Sequence, residues 1–334
     1  MPDLRRDPIV GRWVIVDTDH PNTPKDYEYE THSPKGKGVC PFCYGNELMT
    51  PLEIQSFRDL HTAVNTPGWQ VRVVPNKFPA LKIEGEIDRR GLGIYDLSNG
   101  IGAHEIVIES PYHNKDIPDL LNEEIQQVIS MLCQRSQDLI KDRRFKYIMI
   151  FKNYGPAAGA SLEHSHSQII ALPMVPKNAL EEIKGAENYF KFKERCIFCD
   201  ILRQETQDKE RIVAENNGFL AFCPFVSRFP FEIWIMPKQH HAYFSRLHPE
   251  DMPGLARILK DIITKVKKLF GNISYNFIIH SSPENGDTGI ERYHWHIEFM
   301  PKLTRIAGFE WGSGFYIVPT PPELAAKYLR EDIG

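Results

Sequence analysis

Two ten-residue segments, His104-Glu-Ile-Val-Ile-Glu-Ser-Pro-Tyr-His113 and Phe231-Glu-Ile-Trp-Ile-Met-Pro-Lys-Gln-His240, carry Glu, two Ile and a closing His at the same places. Outward from them, both halves of the chain keep one order of parts. Upstream stand two cysteine pairs of identical spacing, Cys40-Pro-Phe-Cys43 and Cys196-Ile-Phe-Cys199. Downstream, apolar residues recur at Leu121, Ile125, Val128, Leu132 and Leu139, and again at Leu255, Ile258, Ile262, Val266 and Leu269. Steps of three, four and seven mark one buried helical face, so helices are expected over 117–140 and 252–270. An apolar strand follows each, Tyr147-Ile-Met-Ile-Phe151 or Tyr275-Asn-Phe-Ile-Ile279, and then a Gly-containing loop. Each half closes on an HxH, His164-Ser-His166 or His294-Trp-His296, which lies 51 residues beyond His113 and 54 beyond His240. The pattern predicts an α+β fold made of two copies of one unit, each an antiparallel sheet with a long helix.

The join is expected in the charged stretch 175–195, read as a connecting helix, which divides the chain into halves 1–180 and 181–334. A strand is expected over 12–17, followed by a loop. A length of 334 residues suits about two domains. With 42% hydrophobic and 25% charged residues the composition is globular. A formal charge of −4 argues against a nucleic-acid partner. No apolar run nears the roughly 20 residues that span a bilayer, and the N-terminus has no signal-like apolar core, so a cytoplasmic protein with no membrane partner is expected. In that setting close cysteine pairs read as metal ligands rather than disulfides.

Each half supplies two thiolates and two imidazoles, the set that tetrahedral structural zinc prefers. Cys40, Cys43, His113 and His164 form the first expected site; Cys196, Cys199, His240 and His294 form the second, where His241 and His280 compete. In a strand, residues two apart share a face, so His164, His166 and Gln168 line one side. Upstream, Asn153-Tyr-Gly-Pro-Ala-Ala-Gly-Ala-Ser161 is a small-residue loop whose N–H groups can line a phosphate. An imidazole beside such a loop suits attack at phosphorus. The residues alone leave His166 equally open to two other roles, a third metal ligand or a satisfied core histidine. The alternation around His296 is as consistent with structure as with catalysis, but no such loop precedes it, so it is not read as a second nucleophile.

The set CPFC, VVPNKFPAL (73–81), SPYH, NYGPAAGASLEHSHSQ and the later HWH resembles the galactose-1-phosphate uridylyltransferase branch of the histidine-triad superfamily, over nearly the whole chain. The resemblance implies two fused histidine-triad-like domains and a homodimer. It implies that His166 attacks the α-phosphorus of a nucleotide sugar, that hexose 1-phosphate leaves, and that a nucleotidyl-histidine then passes its nucleotide to a second phosphate-bearing acceptor. By the same carry-over Gln168 and Ser161 contact phosphates, Gly159 belongs to the loop beneath them, and Asn76 and Asn153 hold the nucleotide. The segment 308–316, with Gly312 and Gly314, helps to enclose the sugar phosphate, in a partner's site.

Some positions depart from the galactose enzymes. Those usually show HPHGQ, whereas this chain has His164-Ser-His166-Ser-Gln168. They often hold iron in the second half through Glu and His, whereas Cys196 and Cys199 favour a second zinc, with iron or no metal there as the alternatives. An Arg-rich segment after the first strand is replaced by Asp17-Thr-Asp-His-Pro21, and Gly314 stands where a sugar-reading Glu is expected. These features, the missing Arg segment aside, resemble the ADP-glucose phosphorylase relatives, which makes adenylyl transfer to phosphate the alternative to uridylyl exchange. A rival of another class is a non-catalytic zinc module that binds nucleotides. Gln168 favours a phosphate-bearing acceptor over water, because an amide does not shuttle a proton.

Overall fold

A computed structural model describes residues 1–31, 38–285 and 292–331. Its first half runs β1 (Asp3–Arg6), β2 (Trp13–Val16), β3 (Gln55–Arg58), β4 (Trp69–Pro75), β5 (Arg90–Leu92), β6 (Tyr95–Leu97), β7 (Ala103–Ile108), α1 (Asn122–Leu139), β8 (Tyr147–Tyr154) and β9 (His166–Leu172). Helix α2 (Lys177–Lys193) then crosses to α3 (Ile197–Asp208), β10 (Ile212–Glu215), β11 (Phe219–Phe222), β12 (Ile233–Pro237), α4 (Met252–Phe270), β13 (Tyr275–His280) and β14 (His296–Pro301). The chain closes with α5 (Gly308–Ser313), β15 (Tyr316–Val318) and α6 (Pro322–Glu331).

The duplication appears as one ten-stranded antiparallel sheet, ordered β10-β11-β12-β14-β13-β8-β9-β7-β4-β3. Read inward from either edge, the strands follow one order, with the long helix entering between the third and fourth strands in sequence. The halves meet where β13 pairs with β8, from Tyr275 opposite Tyr154 to Ile279 opposite Ile150. Helices α1 and α4 pack on one face, burying Ile125, Val128, Leu132, Leu255, Ile262 and Val266 against Val107, Ile169, Ala171, Ile235, Phe277 and Ile297. Burying one such side chain stabilises the fold by about 1.5–3 kcal/mol. Because Ile169 and Ala171 face these helices, the alternate residues His166 and Gln168 are turned to the opposite face.

The first long helix is shorter than the pattern predicts. A 3-10 turn over Ile117–Asp119 comes first, and α1 starts only after it. Leu120 and Leu121 are extended, at ψ 153° and 156°, and Glu124 accepts from the Leu121 N–H at 2.6 Å, so the helix starts afresh at Asn122. The expected strand near the N-terminus is β2, but it joins the far end of the chain, pairing in parallel with β15. Arg5 reaches Glu323 of α6 at 2.9 Å. No helix among the described residues is long and apolar enough to cross a membrane.

Candidate active site and metal centres

The ligand atoms of Cys40, Cys43, His113 and His164 all lie within 4.8 Å of one another, and so do those of Cys196, Cys199, His240 and His294. Zinc–sulfur and zinc–nitrogen bonds of about 2.3 and 2.0 Å place S and N about 3.5 Å apart on a tetrahedron. The first site matches that edge, with His164 Nδ1 3.7 Å from Cys40 Sγ and 3.5 Å from Cys43 Sγ, and His113 Nδ1 3.4 Å from Cys43 Sγ. In the second, Cys199 Sγ is 3.3 Å from His240 Nδ1 and 3.5 Å from His294 Nδ1. The donors therefore fit zinc in both halves.

The ten-residue repeat explains the tautomers. His164 Nε2 donates to the Ser110 carbonyl at 2.7 Å, and His294 Nε2 donates to the Pro237 carbonyl at 2.9 Å. Ser110 and Pro237 hold the same place in the two segments, so each carbonyl keeps the proton on Nε2 and leaves Nδ1 for a metal. His241 stays outside the second group and packs beside His248, ring centroids 5.6 Å apart.

His166 lies outside the first metal group and is 6% exposed. Its Nδ1–H donates to the His164 carbonyl at 2.8 Å, which leaves Nε2 with a free lone pair. Phe42, from the Cys40–Cys43 turn, sets its ring against the imidazole at 5.4 Å. Burial pushes the His166 pKa below the usual histidine value; the His164 carbonyl opposes this and the Lys152 ammonium reinforces it. The ring is thus uncharged at neutral pH.

The strand carrying His166 is anchored from behind by groups the sequence motif does not reveal. Lys152, fully buried, bonds Glu109 Oε2 at 2.5 Å and Ser165 Oγ at 2.6 Å. Ser165 and Ser167 donate to the two oxygens of Glu109, each at 2.6 Å. Asp116 accepts from Lys267 and Tyr275 at 2.9 Å, and sits 3.5 Å from Lys152. Burial alone would raise the Asp116 pKa, but Lys152 and Lys267 hold it down to about 2. Two ammoniums thus balance two carboxylates, and the serines on either side of His166 pin its strand to that pair.

The loop after β8 is shaped by glycine. Gly155 has φ +79°, and a Cβ there would lie 2.2 Å from Ser274 Oγ. Gly159, at φ +84°, ends a short 3-10 turn and is exposed, as is Ser161. Asn153 takes a 2.8 Å bond from Asn276, and Asn76 bonds His104 just beyond β4. Asn76, Asn153, the loop and Gln168 therefore collect around the face that bears His166. Gly312 and Gly314 lie on α5 and its cap, beside β15, where an added Cβ would meet nothing within 4 Å. His104, which contacts both Asn76 and Gln168, is a residue that motif reading passed over.

In the second half, His296 is sealed. It is sandwiched between Trp234 and His280, at 4.8 and 4.7 Å, and its Nε2 is buried without a hydrogen-bond partner. It belongs to a further group, Glu182, His280, His296 and Glu298. There His280 bridges Glu182 at 3.0 Å and Glu298 at 3.2 Å, while Arg228 ion-pairs with Glu298. The negative charge of the group is thus balanced by side chains of the protein itself. Burial would lower the His280 pKa, yet the two carboxylates push it up to about 10. A raised histidine pKa contributes stability in full below about 6.5 and loses it as pH climbs through the folded value. The melting-temperature gap between the wild type and His280→Asn is expected to be widest near pH 6 and to narrow toward pH 10. A gap that widens with pH would refute this charge state.

The comparisons with known proteins cover nearly the whole chain. Residues 1–176 match the model of the galactose-1-phosphate uridyl transferase N-terminal domain, and residues 182–321 match its C-terminal domain. An ADP-glucose phosphorylase of Arabidopsis thaliana is 34% identical over 335 residues, 99% of this chain and 93% of that protein. A galactose-1-phosphate uridylyltransferase of Thermotoga maritima is 32% identical over 339 residues, 99% of this chain and 98% of that protein. The crystal structure of an Arabidopsis thaliana ADP-glucose phosphorylase with bound ADP-glucose superposes with a TM-score of 0.82 at 33% identity, covering 99% of both chains. Two domain models in the order of the repeat, with full-length relatives above 30% identity, establish that this chain belongs to the galactose-1-phosphate uridylyltransferase family of nucleotidyltransferases.

Proposed function

We propose that the chain exchanges a uridylyl group between a UDP-hexose and a hexose 1-phosphate through a covalent nucleotidyl–His166 intermediate. The observation that carries this is the His166 ring itself: Nδ1–H is engaged by the His164 carbonyl at 2.8 Å, so Nε2 offers an unprotonated lone pair. Nε2 forms a bond to the α-phosphorus as the bond from that phosphorus to the hexose-1-phosphate oxygen breaks. In the second half-reaction the phosphate oxygen of the acceptor attacks the same phosphorus, and His166 leaves with its lone pair restored. Gln168 and the N–H groups of the loop 153–161 are assigned to the phosphoryl oxygens, Asn76 and Asn153 to the nucleotide. The Gln168 amide neither gives up nor takes a proton near neutral pH, so it positions phosphate without activating water.

The test is intact-mass measurement after mixing with UDP-glucose and with ADP-glucose separately. A gain of one uridylyl group at His166 is expected. A protein that gains no nucleotidyl mass from any donor would sink the proposal. Gain of an adenylyl group instead would establish the second reading, transfer from ADP-glucose to phosphate. That reading is favoured by the 34% identity and the 0.82 TM-score of relatives bearing the name ADP-glucose phosphorylase.

Zinc is proposed at both Cys–Cys–His–His groups, where it supplies a structural cross-link and fixes the orientation of His164 and His294. A homodimer is proposed as well. All of the β5–β6 hairpin is exposed, Leu92 and Ile94 by 69% and 90%, as are Phe309 and Trp311 of α5 by 48% and 78%. Exposed apolar side chains grouped on these two segments favour a partner there. In the dimer, the segment with Gly312 and Gly314 is assigned to the sugar-phosphate side of the partner's site.

A further inference from the structure

We infer that His104 is a positioning residue for the reaction: it decides which end of the Gln168 amide faces the transferred phosphoryl group. The inference rests on the assignment of Gln168 to phosphate made above. The two ends of a carboxamide are nearly alike in shape, and only hydrogen bonds choose between them. An oxygen turned to the phosphoryl group would repel it; an NH2 would donate to it.

His104 occupies β7 opposite Ile170 of β9, which places it diagonally from Gln168 on the same sheet face. Its two ring nitrogens are held differently. Nδ1 lies 3.2 Å from the backbone nitrogen of Ala80, a group that can only donate, so Nδ1 accepts and the ring proton sits on Nε2. Nε2 is 2.8 Å from Gln168 Oε1 and donates to it.

Asn76 Nδ2 also approaches Nε2, at 3.1 Å. The Asn76 carbonyl oxygen is already taken by the Phe78 N–H at 2.9 Å, however, so that amide has only hydrogens to present. Gln168 is the group left to accept the ring proton, which turns its NH2 away from His104. The Asn76 N–H closes the loop onto the His104 carbonyl at 2.8 Å, so the segment that supplies the Ala80 N–H is tied to β7 itself. A chain of bonds thus runs from the Ala80 backbone, through the imidazole tautomer, to the orientation of one catalytic amide. Cross-strand geometry created it, since His104 and Gln168 are 64 residues apart.

Single-turnover nucleotidylation of the zinc-loaded full chain tests this, with UDP-glucose and ADP-glucose as donors and melting midpoint and zinc content as checks on folding. His104→Phe keeps a flat ring but no donor, and is expected to slow nucleotidylation about 10- to 100-fold with little change in donor KM. His104→Gln restores an N–H at similar reach and should recover most of the rate. Introduced beside Gln168→Ala, His104→Phe should cost nothing further. If the two losses multiply, or if His104→Gln is as slow as His104→Phe, the inference is overturned. His104→Leu serves the same comparison should the Phe variant misfold. A Gln168→Ala protein that nucleotidylates at the wild-type rate overturns the phosphate assignment of Gln168 and this inference with it. Failure of the His166 intermediate is told apart from both, because the wild type itself then forms no adduct.

Discussion

Replacing His166 with alanine is expected to lower nucleotidyl transfer by at least about 10⁴-fold while zinc content stays at the wild-type level. The size of the loss follows from the role: no other imidazole with a free lone pair faces this site among the described residues, and an alanine cannot accept the nucleotide. The repeat offers His296 as a counterpart, but that ring is closed between Trp234 and His280. Retention of metal follows from geometry, since His166 stands apart from the four donors of the first group. The measurement is metal analysis alongside exchange of labelled hexose 1-phosphate into a nucleotide sugar. If zinc and activity disappear together, His166 is a ligand and the covalent route is wrong.

His164→Ala is expected to do the converse. One ligand is lost from the first group, zinc falls from two ions per chain to one, and the fold weakens. A metal cross-link worth roughly 4 kcal/mol, set against an unfolding entropy of about 0.7 kcal/mol/K for a chain of this length, would lower the melting midpoint by about 6 °C. The backbone carbonyl that holds His166 Nδ1–H survives this substitution, so transfer measured well below the new midpoint should fall less than in His166→Ala. Thermal melts with metal analysis give the answer; full zinc and an unmoved midpoint would show that the first group holds no structural ion.

The metal donors were readable in the sequence because each set sits on a motif whose spacing is local: a CxxC, the closing His of a ten-residue segment, and an HxH. The two long helices were readable from their apolar stripe, although the extended residues Leu120 and Leu121 shortened the first. The anchor behind His166 was not. Lys152 follows the apolar run 147–151, and two serines flank His166, but nothing in the letters says that Glu109 and Asp116 meet them. Nor was the sealed state of His296: the missing loop argued only against a second nucleophile, and the stacking that closes the ring depends on Trp234 and His280, from other strands.

Taken alone, then, the sequence determined the duplication, the two donor sets and the strand face shared by His164, His166 and Gln168, because each depends on residues a fixed short distance apart along one helix, turn or strand. Tertiary structure decided how β8 and β13 merge the halves into one sheet, why the N-terminal strands lie against β15, which imidazole keeps an open lone pair and which way the Gln168 amide turns. Those outcomes depend on hydrogen-bond partners and burial supplied from across the sheet, and a linear pattern carries no record of which distant strand will become a neighbour.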